Sequence, residues 1–179
     1  MDNPSAPPGK SQKYARVERE RRWLLREPPD PEETTAEVEI TDLYLSGTRL
    51  RLRRMVDRRG SAPTIYKLTQ KVPGGSAAGL ITNTYLSEGE YELLHVVGGD
   101  ELRKARYSVP PFGVDVFLPP LDGLVIAEAE FDSDEAMAAS AAPEAAIAEV
   151  TGHERFTGGR LARTSQDELA KTLAAFGLG

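Results

Sequence analysis

The feature that most constrains this chain is a strand period that recurs along most of its length and carries charge on one face. Residues 17–25, 38–45, 48–55, 64–72, 80–86, 102–109, 113–118 and 124–131 each alternate between two kinds of side chain. Successive side chains of a strand point to opposite faces. Glu18, Glu20 and Arg22 therefore share one face, as do Arg49, Arg51 and Arg53; Lys67, Thr69 and Lys71; Lys104 and Arg106; and Glu128 and Glu130. The faces behind them hold Leu50 and Leu52, or Ala127, Ala129 and Phe131. A half-solvated open sheet would turn such charges to water. A solubilising surface, however, mixes signs, whereas here the acids sit on the first and last strands and the bases on the middle ones. Closure satisfies both faces and leaves no strand edge. The expected fold is mainly β (α+β): a closed eight-stranded antiparallel β-barrel with a charged interior and a few packing helices.

The breaks between segments suit antiparallel neighbours. Arg58-Arg59-Gly60, Pro73-Gly74-Gly75, Pro110-Pro111 and the stretch from Pro119-Pro120 to Gly123 supply turn residues. Ser87 is placed to cap a short helix over 88–97, with acids in its first turn. Residues 136–150 are Ala-rich but interrupted by Pro143, which predicts a broken helix or a loop. Residues 165–176 place Leu169, Leu173 and Phe176 at helical spacing and stop at Gly177, which predicts a C-terminal helix on the barrel. Residues 1–12, rich in Pro, Ser and Gly, read as a disordered tail, leaving 13–179 as one domain.

Composition narrows the chemistry. The 179 residues include no cysteine, which removes disulfides, thiolate metal ligands and a cysteine nucleophile and makes the reducing cytoplasm the expected compartment. No apolar run approaches the ~20 residues of a membrane-spanning helix, so no membrane role is expected. The net charge of −6 argues against a basic nucleic-acid footprint. It says nothing about a local cavity, and Arg and Lys do cluster over 49–59, 67–71 and 103–106. His95 and His153 stand too far apart in sequence to suggest a zinc site. The serines lack the setting of a hydrolase nucleophile, and Pro73-Gly74-Gly75-Ser76 has no lysine to complete a P-loop.

Val17-Glu18-Arg19-Glu20-Arg21-Arg22-Trp23-Leu24 resembles the Glu-x-Glu-x-Lys signature that opens CYTH domains, the superfamily of triphosphate tunnel metalloenzymes. The later segments follow in that family's order: the Arg-Leu-Arg series 49–53, Lys67-Leu68-Thr69-Gln70-Lys71, Lys104-Ala105-Arg106-Tyr107, Gly113-Val114-Asp115-Val116-Phe117 and 123–131. The resemblance spans about residues 14–163 and implies a barrel whose acids bind Mg²⁺ or Mn²⁺ and whose bases hold a triphosphate. Carried over residue by residue, it makes Glu18, Glu20, Asp115, Glu128 and Glu130 the metal set. Arg51, Arg53, Lys67, Lys71, Lys104 and Arg106 become the substrate set, and Arg22 stands at the catalytic position. The residue types agree: hard oxygen donors without Cys or clustered His favour Mg²⁺ or Mn²⁺, and Arg and Lys suit phosphate oxygens. Three positions depart from the pattern. Arg22 replaces the signature lysine, Ile81-Thr82-Asn83-Thr84-Tyr85 lacks a second acidic pair, and Gly113 stands where an acid is often found.

The leading expectation is a divalent-metal-dependent phosphohydrolase acting on inorganic triphosphate or an organic triphosphate. A class IV-like adenylyl cyclase, or a non-catalytic polyphosphate- or nucleotide-binding module, would use the same grip, because a fold does not by itself choose a reaction. The expected partner is a small triphosphate-containing molecule rather than a nucleic acid, and a homodimer is left open.

Overall fold

The computed structural model of the protein describes residues 14–73 and 78–178. The tail read over 1–12 and the turn read over 74–76 lie outside the described residues. Among those described, nine strands form one antiparallel sheet: β1 (Arg16–Leu25), β2 (Ala36–Leu45), β3 (Leu50–Asp57), β4 (Ile65–Pro73), β5 (Ala78–Leu86), β6 (Gly99–Val109), β7 (Phe112–Phe117), β8 (Val125–Glu130) and β9 (Ala146–Glu149). The spatial order is β5-β4-β3-β2-β6-β7-β8-β1, and β5 pairs back onto β1, so eight strands close into a barrel. The joint is made by the first half of β1, with Arg16 opposite Ile81 and Glu18 opposite Gly79. Its second half, along the same edge, takes β9.

Each apolar outer face expected to need cover has it. Helix α1 (Glu88–His95) starts at a capping box between Ser87 and Glu90 and lays Tyr91 over Leu43, Leu45 and Leu52. Across the barrel Trp23, Val114, Val125, Ala127 and Ala129 pack together outside the strands. There the outward-facing Arg21 donates to both oxygens of Glu149 on β9, at 3.0 and 2.6 Å, and to the Ser140 carbonyl at 2.7 Å, just beyond α2 (Asp134–Ala139).

The Ala-rich segment holds the main departure from the sequence expectation. It contains helix α2 and then strand β9, although its alanines favour helix. Pairing with β1 and the Arg21 clamp outweigh that weak local preference. The C-terminal helix forms as α4 (Gln166–Ala174), capped by Ser165. With Phe156 and the short α3 (Gly158–Leu161), it buries Leu169 and Leu173 against Leu24, Leu102, Phe117 and Ile126, which point inward at one end of the barrel. That end is therefore plugged by apolar side chains. The plug sits tight: a Cβ on Gly158 would overlap the Tyr44 hydroxyl. Among the described residues no helix is long and apolar enough to cross a membrane.

Candidate functional site

The charged strand faces all turn inward. Above the plug they enclose a cavity of about 380 Å³, within the range of small-molecule sites. Its lining includes Glu18, Glu20, Arg22, Arg51, Arg53, Lys67, Lys71, Lys104, Arg106, Glu128 and Glu130. Asp115 lies fully buried in the wall. Every residue singled out from the sequence is thus in or directly behind one tunnel. With Arg16 and Arg49, the lining carries nine basic side chains against four glutamates. Even counting Asp42 and Asp115 behind them, the lumen is net positive inside a chain of net charge −6.

The walls differ in sign. On β1 and β8 the register sets Glu20 opposite Glu130 and Arg22 opposite Glu128, so the acids form one patch. Glu18 pairs with Lys71 at 2.5 Å, and Glu128 with Arg106. Burial, and next the charge of Glu128, hold the Glu20 carboxyl above its ordinary range. Burial would also raise Glu128, but Arg106, Lys104 and Arg22 outweigh it and hold that carboxyl well below its ordinary range. Arg22 is nearly buried at the floor, where its Nη1 donates to the Phe156 carbonyl at 2.7 Å and its Nε has no hydrogen-bond acceptor.

The basic walls are braced from behind. Asp115 on β7 accepts from Lys104 Nζ and from Arg106 Nε and Nη2, the latter two at 2.6 and 2.7 Å. Both of its oxygens are thereby occupied. Asp42 on β2 plays the same part across the lumen: it accepts from Arg53 Nε at 2.5 Å and Nη2 at 2.7 Å, and Arg51 Nε lies 3.5 Å away. Arg51 Nη2 reaches Thr69, which donates to Asn83 on β5. Asp42, Thr69 and Asn83 were not among the residues singled out from the sequence as candidate ligands. The alternation that puts Asp42 on one face with Ile40 and Tyr44 could have placed it inward.

For a divalent ion the donors fit in kind. The acidic patch supplies only hard carboxylate oxygens. Among the described residues, however, no three acidic or histidine side chains stand close enough together to surround an ion, and Lys71 and Arg106 hold two of the carboxylates.

No protein-family model and no curated protein sequence matches this chain. Solved structures do. A crystal structure of the inorganic triphosphatase NE1496 matches with a TM-score of 0.55 and 26% identity, covering 82% of this chain and 95% of the other. Another, of the hypothetical protein NE1496, matches with a TM-score of 0.54 at the same identity, covering 82% of this chain and 98% of that one. The chain shares the barrel fold of these structures, consistent with the CYTH superfamily. The tunnel here brings the acidic pair of β1, the paired arginines of β3 and the acids of β8 into one lumen. Arg22 stands where the signature it resembles has lysine, and β5 presents Ile81 and Asn83 to the lumen.

Proposed function

We propose that this chain is a triphosphatase: it binds a triphosphate in the plugged tunnel and hydrolyses a phosphoanhydride bond there, with Mg²⁺ or Mn²⁺ on the acidic wall. The observation that carries this is a net positive lumen, plugged at one end, in an acidic protein. Its support is the likeness, over almost the whole of the other chain, to an inorganic triphosphatase. Phosphoryl transfer is mainly a matter of positioning and electrostatic stabilisation. Arg51, Arg53, Lys67, Lys71, Lys104 and Arg106 would hold the chain of phosphates, and the two buried aspartates fix four of them in place. Arg22, anchored on the Phe156 carbonyl, supplies fixed positive charge at the floor rather than accepting a proton, because a guanidinium stays protonated.

Glu18, Glu20, Glu128 and Glu130 would hold the ion, which when bound screens phosphate charge and polarises a phosphoryl oxygen. Asp115 would serve that site by orienting Lys104 and Arg106. A triphosphate drawing Lys71 to itself would release Glu18 for the metal, so ligand and ion would bind cooperatively. The lack of cysteine agrees with a cytoplasmic setting.

The decisive experiment incubates the purified protein with tripolyphosphate, ATP and thiamine triphosphate, each with Mg²⁺ or Mn²⁺, and follows phosphate release and cyclic-nucleotide formation. We expect phosphate release that requires the metal. The pairing of Glu18 and Glu128 with lumenal cations favours one other reading, a binding module. Binding without turnover on any of these compounds, and none created by Arg22→Lys, would establish that reading instead.

A further inference from the structure

The wall formed by β4 and β5 contributes hydrogen-bond donors to the lumen and no carboxylate. Asn83 lines the cavity, and its register partner on β4 is Thr69, a threonine with no exposed surface. The Thr69 hydroxyl donates its one hydrogen to Asn83 Oδ1 at 2.7 Å, and its oxygen faces Arg51 Nη2 at 3.4 Å. That direction fixes the amide. A side-chain amide whose carbonyl is held by a hydroxyl must present its NH₂ elsewhere. No described residue accepts a hydrogen bond from Asn83 Nδ2.

Two more donors stand beside it. Lys67, on the same face of β4 as Thr69, lines the cavity and has no ion-pair partner among the described residues. Arg51 on β3 lines the same cavity, its Nε 3.5 Å from Asp42 behind the wall and its Nη2 3.4 Å from the Thr69 hydroxyl. Three adjoining strands thus offer an amide and an ammonium with no acceptor among the described residues, beside a guanidinium that Asp42 and Thr69 hold in position. A phosphate group, with several acceptor oxygens and no donors when ionised, is the ligand that satisfies all three.

We propose that Asn83 is a substrate-binding residue, which with Lys67 and Arg51 forms a subsite for one phosphate of the triphosphate without help from the metal, and that Thr69 positions its amide. The subsite rests on the triphosphate reading of the tunnel. It divides the lumen into an acidic wall for the ion and, on β3 to β5, a donor wall for phosphate alone.

The test is calorimetric titration of tripolyphosphate into the protein in metal-free buffer. Asn83→Asp keeps the shape and exchanges the donor for an acceptor, and should weaken binding about tenfold or more. Thr69→Val frees the amide to turn and should weaken binding several-fold, while Thr69→Ser keeps the hydroxyl and should restore wild-type affinity. A residue important only for folding would lower the melting temperature without that ordering of affinities. If Asn83→Asp does not fold, the contrast between Thr69→Val and Thr69→Ser decides. Wild-type affinity in Asn83→Asp, or equal weakening by Val and Ser at 69, overturns the subsite alone. A wild-type protein that binds no tripolyphosphate with or without Mg²⁺ overturns the reading of the tunnel and the subsite with it.

Discussion

Asp42 has no exposed surface, and burial alone would raise its carboxyl, yet Arg53 and Arg51 outweigh burial and hold it at about 2. Its folded value lies below its unfolded one, so its contribution to stability is present above the ordinary carboxylate range and is lost as pH falls towards about 2. Removing one partner of such a pair strands the other. We expect Asp42→Asn to lose about 3–5 kcal/mol in urea unfolding at neutral pH, and a loss below about 1 kcal/mol would mean that Arg53 finds another partner. Lys67 shifts for the opposite reason: burial, then the charges of Arg53 and Arg51, lower it to about 8. In the unfolded chain it holds its proton to higher pH, so in this window stability rises with pH, and the burden of the buried charge is present below about 8. Triphosphate needs the charged form. Tripolyphosphate affinity should therefore fall as pH rises past about 8, and in Lys67→Arg, which stays charged, the fall should vanish from the same titration. An unchanged profile in Lys67→Arg would assign it to another group. The inward position of these lysines and arginines was legible from parity alone. Asp42 was harder to see, because a single acid between Ile40 and Tyr44 gains meaning only when the register sets it opposite Arg53.

At the scale of elements, the eight barrel strands were readable because each has a two-residue period and Gly or Pro breaks separate most of them. β9 was not, since Ala146-Ile147-Ala148-Glu149 shows no turn signal of its own and becomes a strand only by adding to the free part of the β1 edge. The C-terminal helix was readable from its spacing, but its task was not: the sequence does not say that Leu169 and Leu173 close one end of a tunnel. That plug gives a direct test. Leu169 is essentially buried among Leu24, Phe117, Leu124 and their neighbours, so Leu169→Ala should cost about 2–5 kcal/mol in chemical denaturation. Ser165→Ala, which removes the capping box of α4, should cost about 1 kcal/mol. A plug that contributes nothing to the barrel would leave both variants as stable as the wild type.

For the whole molecule, closure makes a lumen of net positive charge compatible with an acidic surface, because the strand pleat sorts the two sets of side chains to opposite sides. The sequence already showed that sorting by sign. It could not show that nearly every inward acid is matched by an inward base, a consequence of register across strands far apart in the chain. The metal assignment is tested at this scale by Glu128→Gln with Glu130→Gln, which keeps size and removes charge. We expect Mn²⁺ affinity in calorimetry to drop by an order of magnitude or more, and an unchanged affinity would move the ion elsewhere. The central claim, that the basic lumen holds a triphosphate for hydrolysis, meets its most direct test in phosphate release from tripolyphosphate with Mg²⁺, compared between the wild type and Arg51→Ala. Metal-dependent turnover in the wild type, with a KM raised about tenfold or more in Arg51→Ala, is the expected result; turnover with the same KM in both proteins would place the reaction outside this tunnel.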